Sequence, residues 1–342
     1  MNAIVLRGPG GPEALKYEQI DRPVPRRGEV LIRVKAVSVN RLDVWIRSGL
    51  ASYGTTYPHI PGCDFSGEVS EVAPDVKDFK PGDRVIADPG IRCLKCDYCL
   101  SGDNNLCRRM GIVGASSWGG YAEYAKVSAD NLVPLAPHTG FEEGAAFPLT
   151  FLTAWHMLSS RAELKAGQTV LIIAGGSGIG VAAVQIAKLF GAVVIATAGG
   201  PEKTSRLTGL GADHVIDHRN EDIRRRVMDF TSGQGVDAVF EHVGPATFGS
   251  SLASLKKGGR IVICGATAGP EVTVALRDLF SRQIDIRGSF LGTRRELITV
   301  CDLVARGKLK PVIDEVIPLR DAARAHARME KSAHFGKIIL VP

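Results

Sequence analysis

TVLIIAGGSGIGVAAVQIAKLFGAVVIATA, residues 169–198, is the stretch on which the fold turns. Its first six residues, TVLIIA, are an unbroken apolar run of the kind a parallel strand needs when both of its faces are covered. Gly175, Gly176, Ser177, Gly178, Ile179 and Gly180 follow, then VAAVQIAKLF (181–190) with helical periodicity, then AVVIATA (192–198) as a second buried strand. Strand, glycine turn, helix and strand make a βαβ unit. The turn departs from strict G-x-G-x-x-G because Ser177 holds the second glycine slot. The physical requirement is still met. Small residues let the backbone approach a pyrophosphate, and the N-terminus of the helix offers free N–H groups and positive potential.

Working outward, further buried-strand candidates recur at HVIDH (214–218), DAVFEHV (237–243), RIVICGA (260–266) and DIRGSFL (285–291), with helical stretches in most gaps. About six strands alternating with helices predict an α/β, doubly wound parallel sheet. Ahead of it, Met1 to about Val133 carries short β-rich runs such as EVLIRVKAVSVN, SGEVSEVA and GDRVIA between Gly and Pro punctuation, the pattern of a partly barrel-like β unit. A helical stretch from Phe141 to Leu158 joins the two. The tail from Thr293 to Pro342 reads as two amphipathic helices and a final strand, KIILV.

A chain that takes NADH usually ends its second strand on Asp or Glu, which accepts hydrogen bonds from the ribose hydroxyls. Here that end is Ala198-Gly199-Gly200, Lys203 lies one turn farther on, and His218 and Arg219 stand just past HVID. With no carboxylate to repel a 2′-phosphate and cations at hand, NADPH is expected over NADH.

Four of the seven cysteines crowd into fifteen residues as C-x2-C-x2-C-x7-C, at Cys93, Cys96, Cys99 and Cys107. Four thiolates complete a tetrahedral Zn²⁺ and leave no open position for substrate, so one structural zinc is expected. An iron–sulfur cluster is the main rival, but its bacterial run has a three-residue final gap and a following Pro, and neither is present. Cys63, Cys264 and Cys301 read as buried small hydrophobes.

Composition excludes other classes. The net charge of +6 is scattered rather than gathered in one tract, which argues against nucleic acid as a partner. The N-terminus has too short an apolar run for a signal peptide, and GGSGIG interrupts the uncharged stretch 169–187, so no membrane span is read. Crowded rather than paired cysteines fit a cytoplasmic location.

Taken together, the β-rich first part, the four-cysteine lobe, the glycine-turn βαβ unit and the returning strand resemble the medium-chain dehydrogenase/reductase superfamily over essentially the full chain. NRLDVWIRSG (40–49), FPLTFLTAW (147–155), AGGSGIG (174–180) and FGKIIL (335–340) resemble its quinone oxidoreductase branch, and the cysteine lobe its zinc alcohol dehydrogenase branch. The resemblance implies a GroES-like catalytic domain, 1–133 with 293–342 and including a zinc lobe at 90–110, into which a Rossmann domain, 134–292, is inserted. It also implies a substrate cleft between the domains and a homodimer or homotetramer.

Zinc alcohol dehydrogenases of the superfamily hold a catalytic zinc with a Cys ahead of x-x-Asp, a His-Glu pair after a Gly, and a second Cys before Thr-Ala/Gly-aromatic. The matching positions here are Asn40, Cys63-Asp64 after Gly62, and Leu149. Leu149 cannot bind metal, and Asn40 is a poor ligand. Without a Lewis acid, alcohol oxidation loses its main driver, whereas hydride addition to a quinone, enone or enal makes a delocalised anion that hydrogen bonds can hold. The expected function is therefore NADPH-dependent reduction of a quinone or an activated C=C or C=O in a small molecule. A zinc-type alcohol dehydrogenase using Cys63 and Asp64, and a non-catalytic NADPH-binding crystallin-like or RNA-binding protein, are the alternatives. Carried over by position, Asn40 and Tyr53 are the candidate oxyanion donors, and Tyr53 or water the proton source, with Tyr57 as a substitute. Asp43 is paired with Lys337 at the floor of the site, in a structural or a catalytic role. Thr153, Val243, Gly265, Phe290 and Leu291 fall where the family lines the nicotinamide end.

Overall fold

The apolar run at residue 169 becomes the strand Thr169–Ile172, and every later strand candidate of that region joins the same sheet. The sheet has six strands in the order His214–Asp217, Val193–Ala198, Thr169–Ile172, Val236–Glu241, Leu255–Ile263, Asp285–Gly288, and every pairing is parallel. Chain order reverses between Thr169–Ile172 and Val236–Glu241, and in open parallel sheets ligands bind outside the carboxyl ends of the strands at such a point. One face is covered by Val227, Phe248 and Leu252, packed on Leu171, Ile195, Ile216, Val239 and Ile261. Full burial of such side chains stabilises by roughly 1.5–3 kcal/mol each.

This computed structural model describes residues 1–50 and 54–342. The chain divides into two compact units, Met1–Leu149 with Thr293–Pro342, and Thr150–Gly292. In the first, a seven-stranded sheet runs in the order Ile313–Pro318, Lys337–Val341, Glu29–Ser38, Asp64–Val72, Arg84–Ala87, Leu132–Pro134, with Tyr124–Ser128 also on Glu29–Ser38. Glu29–Ser38 is ten residues long, enough to serve two neighbours along one edge: Tyr124–Ser128 beside residues 29–33 and Lys337–Val341 beside 37–38. The end of the chain thus completes a sheet begun at its start. Ile313–Pro318, half polar and at the edge of the sheet, is a strand that the sequence pattern does not announce.

The helical stretch read from Phe141 to Leu158 is not continuous. Helix Phe141–Ala146 ends at Phe147, because Pro148 has no N–H to donate to the carbonyl four residues back, and Pro148–Trp155 then restarts and runs into a π-helical turn, His156–Arg161. Ala145 and Ala146 pack on Ala36 and Ile339, so the first unit extends to Leu149, past residue 133 where the sequence pattern changes. Among the described residues no helix is long and apolar enough to cross a membrane.

Candidate active site

Three neighbouring strands of the first unit bring their chemistry to one place. Ser38 pairs with Asp64 across one ladder and with Ile339 across the other. Extending that second antiparallel register by two residues sets Lys337 opposite Asn40, and there its ammonium donates to Asn40 Oδ1 at 2.5 Å. Lys337 Nζ lies 3.6 Å from Asp64 Oδ2, and both side chains are at most 2% exposed. The expected Lys337–Asp43 pair is therefore corrected: register delivers the ammonium to Asp64. Asp64 also accepts from Leu149 N (2.8 Å), Asn40 Nδ2 (3.0 Å) and Ser38 Oγ (3.4 Å). Burial raises its carboxyl above the ordinary range, opposed first by Lys337.

Asn40 sits just ahead of helix Arg41–Arg47. Its amide nitrogen contacts Asp64 Oδ2 and, at 3.4 Å, Cys63 Sγ, so both hydrogens are engaged within the protein. A substrate oxygen would have to displace the weaker partner, the thiol sulfur. Asp43, three residues on, accepts from Asn40 N (2.8 Å) and Gly62 N (3.0 Å). Burial raises its carboxyl to about 7, against those amides and Lys337. Gly62 has φ +102°, and a Cβ there would stand 2.4 Å from the Tyr121 ring, so only glycine lets the turn into Cys63 pass under that side chain. Burial pushes the Cys63 thiol up, which makes it a poor nucleophile. Tyr57 is half-buried, and Tyr53 lies outside the described residues.

These positions do not fit a metal. Leu149 offers no side-chain donor, and a cation at Asp64 would have to displace an ammonium and three hydrogen bonds.

In the second unit, Gly175, Ser177, Gly178, Ile179 and Gly180 form the turn after Thr169–Ile172 and the start of helix Gly178–Leu189. The helix begins three residues earlier than its apolar pattern because Ser177 caps it, its Oγ accepting from Gly180 N at 3.0 Å. A Cβ on Gly180 would lie 2.4 Å from Ala174 O, so the helix can approach the strand this closely only with glycine there. Beside the turn, His242 Nε2 lies 3.0 Å from Ile173 O and 3.4 Å from Ser177 Oγ, a neighbour that sequence reading missed. Gly199 is overlaid by a guanidinium and an imidazole: a Cβ there would be 2.7 Å from Arg219 Nε and 3.0 Å from His218 Nε2. Burial, then Arg219 and Lys203, lower the His218 pKa. Asp217, half-buried at the end of its strand, accepts from Gly200 N (2.9 Å), Arg219 N (3.1 Å) and Asn220 Nδ2 (2.8 Å), which lower its pKa. Val243 and Gly265 follow adjacent strands, and Ala268 N donates to Val243 O at 2.8 Å. Phe290 and Leu291 follow the last strand, Phe290 half exposed and Leu291 buried with φ +50°. Thr153 is buried on Pro148–Trp155.

The ligand atoms of Cys93, Cys96, Cys99 and Cys107 all lie within 4.8 Å of one another, and they form the one such group among the described residues. Cys93 and Cys99 Sγ are 4.0 Å apart, as are Cys96 and Cys107. A tetrahedron with Zn–S near 2.3 Å sets sulfurs roughly 3.8 Å apart, so the cage has the right size. Cys93 N and Arg109 N point at Cys107 Sγ. The Lys95 amide lowers the Cys93 thiol to about 6, whereas burial and the neighbouring sulfurs raise the Cys99 thiol to about 12.

Residues 26–137 match the family model described as "Alcohol dehydrogenase GroES-like domain", and residues 178–306 match "Zinc-binding dehydrogenase". The chain belongs to the medium-chain dehydrogenase/reductase superfamily of oxidoreductases. Within that superfamily it is 34% identical over 331 residues to an alcohol dehydrogenase of Geobacillus stearothermophilus, covering 95% of this chain and 96% of that one. It is 33% identical over 349 residues to a quinone oxidoreductase of Sus scrofa, covering 100% and 98%. A solved structure described as an NAD-dependent alcohol dehydrogenase superposes with a TM-score of 0.96 at 44% identity over 100% of both chains. The two units accordingly carry the GroES-like and Rossmann folds of this superfamily.

Proposed function

We propose that the protein is an NADPH-dependent reductase of quinones or of activated C=C and C=O groups, with a structural zinc and no catalytic one. The observation that carries this is the Lys337 ammonium on Asn40 and Asp64: the positions that would surround a catalytic metal hold a fixed internal cation. The bound nicotinamide supplies hydride. Asn40 turns its amide from Cys63 to the acceptor oxygen, and the Lys337 contact behind its carbonyl polarises that amide. Tyr53 or water delivers the proton. Lys203, His218 and Arg219 hold the 2′-phosphate over Gly199, and the amides of residues 178 and 179 face the pyrophosphate. Thr153, Val243, Gly265, Phe290 and Leu291 line the nicotinamide. Cys93, Cys96, Cys99 and Cys107 would hold the zinc, which supplies local stability to their loop. Exposed Leu276 and Phe280 near the exposed edge strand Asp285–Gly288 support a homodimer or homotetramer, which light scattering decides.

Steady-state assays of the purified protein with NADPH and a panel of quinones, enones and enals, against alcohols with NADP⁺, test the reading, alongside metal analysis. Reduction with one zinc per chain is expected. Chelator-sensitive alcohol oxidation with two zincs per chain would reverse it. Tight NADPH binding with no turnover on any acceptor would instead support a binding protein. Lys203→Ala should weaken NADPH more than NADH, and equal losses would refute the phosphate assignment.

A further inference from the structure

Two buried side chains outside the residues assigned so far reach the candidate site. Tyr121 lies just ahead of Tyr124–Ser128, His326 lies on helix Ala322–Glu330, and both are fully buried. Tyr121 Oη is 3.3 Å from Asp43 Oδ2 and 3.1 Å from His326 Nε2, with the two rings edge to face. Asp43 in turn holds the backbone amides of Asn40 and Gly62. A hydrogen-bonded chain therefore runs from a C-terminal helix to the two segments that carry Asn40 and Cys63-Asp64.

The chain has a direction. An ionised Asp43 can only accept, so Tyr121 donates to it and must itself accept from His326, which fixes the Nε2–H tautomer. His326 Nδ1 is then a bare lone pair, and it is buried without a partner among the described residues. Burial and the Arg47 charge hold this ring neutral, down to about 3. Reversing the chain would place a proton on Nδ1 with no acceptor in reach. The arrangement thus favours the charged carboxylate against the burial that opposes it.

We propose that Tyr121 and His326 are positioning residues, whose hydrogen bonds favour the ionised form of Asp43, which grips the Asn40 and Gly62 amides and aims the Asn40 side chain. This rests on the role given to Asn40 above. The other groups that bear on Asp43 are Asp64 and Cys63 from the turn and strand after Gly62, Lys337 from the last strand, and, from its own helix, Arg47, which is paired with Glu330. None of them changes in the Tyr121 and His326 variants below.

Infrared titration of buried carboxyl bands in the full chain, with Asp64→Asn used to assign the second buried acid, reads Asp43 without turnover. Tyr121→Phe should move the Asp43 midpoint upward by about one unit, since a donor to the charged form is lost. His326→Leu should move it the same way, and His326→Gln, whose amide can still donate to Tyr121, should restore it. If turnover is found, the acid limb of kcat/KM shifts in parallel. Midpoints unchanged in Tyr121→Phe and His326→Leu would overturn the proposal, whatever the substrate screen gives. Shifted midpoints with no turnover would leave the network standing and remove only the substrate assignment.

Discussion

A single ammonium decides much of the chemistry of the first unit. Lys337→Met leaves Asp64 buried without its counter-charge, and breaking such a pair costs about 3–5 kcal/mol. The Asp64 pKa is already raised by burial and would rise further, so the loss should grow as pH increases through the neutral range and the folded state is forced to ionise it. Urea unfolding at pH 5 and pH 8 checks this, and a pH-independent deficit would contradict it. Asp43 obeys the same sign. Its folded value is about 7 against 3.8 unfolded, so between those limits the native state binds the extra proton, and Asp43 costs progressively more stability as pH rises. The unfolding free energy of wild type relative to Asp43→Asn should therefore fall from pH 4 to pH 7. The sequence placed Asn40, Asp43 and Lys337 together but paired Lys337 with the wrong acid, because motif spacing carries no ladder register. His326 was legible in principle: Ala322, Ala325, His326 and Met329 form one buried helical stripe, and a histidine on such a stripe needs a buried partner. Tyr121 had no such signal.

At the scale of the element, the glycine turn and the cysteine lobe were both readable from local pattern, because each is built from residues close in sequence. Gly180→Ala puts a methyl into the space held by Ala174 O, which must push helix Gly178–Leu189 off its strand. NADPH affinity should fall at least tenfold while the cysteine lobe keeps its metal, as fluorescence titration and metal analysis will show. Cys99→Ser should do the converse, taking zinc from one per chain to none and lowering the thermal midpoint with nucleotide affinity retained. A variant that keeps its zinc would disprove the four-sulfur assignment. Ile313–Pro318 escaped notice for a physical reason: an edge strand with Asp314 and Glu315 turned toward Arg324 and Arg328 has too few buried positions to alternate. The break at Pro148 and the π-helical turn at His156–Arg161 both went unread, since residues 141–158 read as one helical stretch.

Over the whole molecule, class and order of elements followed from periodicity, whereas the pairing of distant segments did not. Nucleotide should stabilise the protein by mass action, about 2.7 kcal/mol at a hundredfold excess over Kd, and the thermal shift should be larger for NADPH than for NADH at equal concentration. Equal shifts would count against the cluster at Lys203, His218 and Arg219. The strand Lys337–Val341 also sets a schedule for biosynthesis. It is made long after Val37 and Ser38, yet it lies beside them. All six strands of the middle unit have emerged by then, so the interior of the chain can mature before its beginning does. Until translation reaches Lys337, Asp64 waits for its neutralising charge, and a stop codon ahead of Phe335 would leave the first sheet without this strand although every strand of the middle unit had been made.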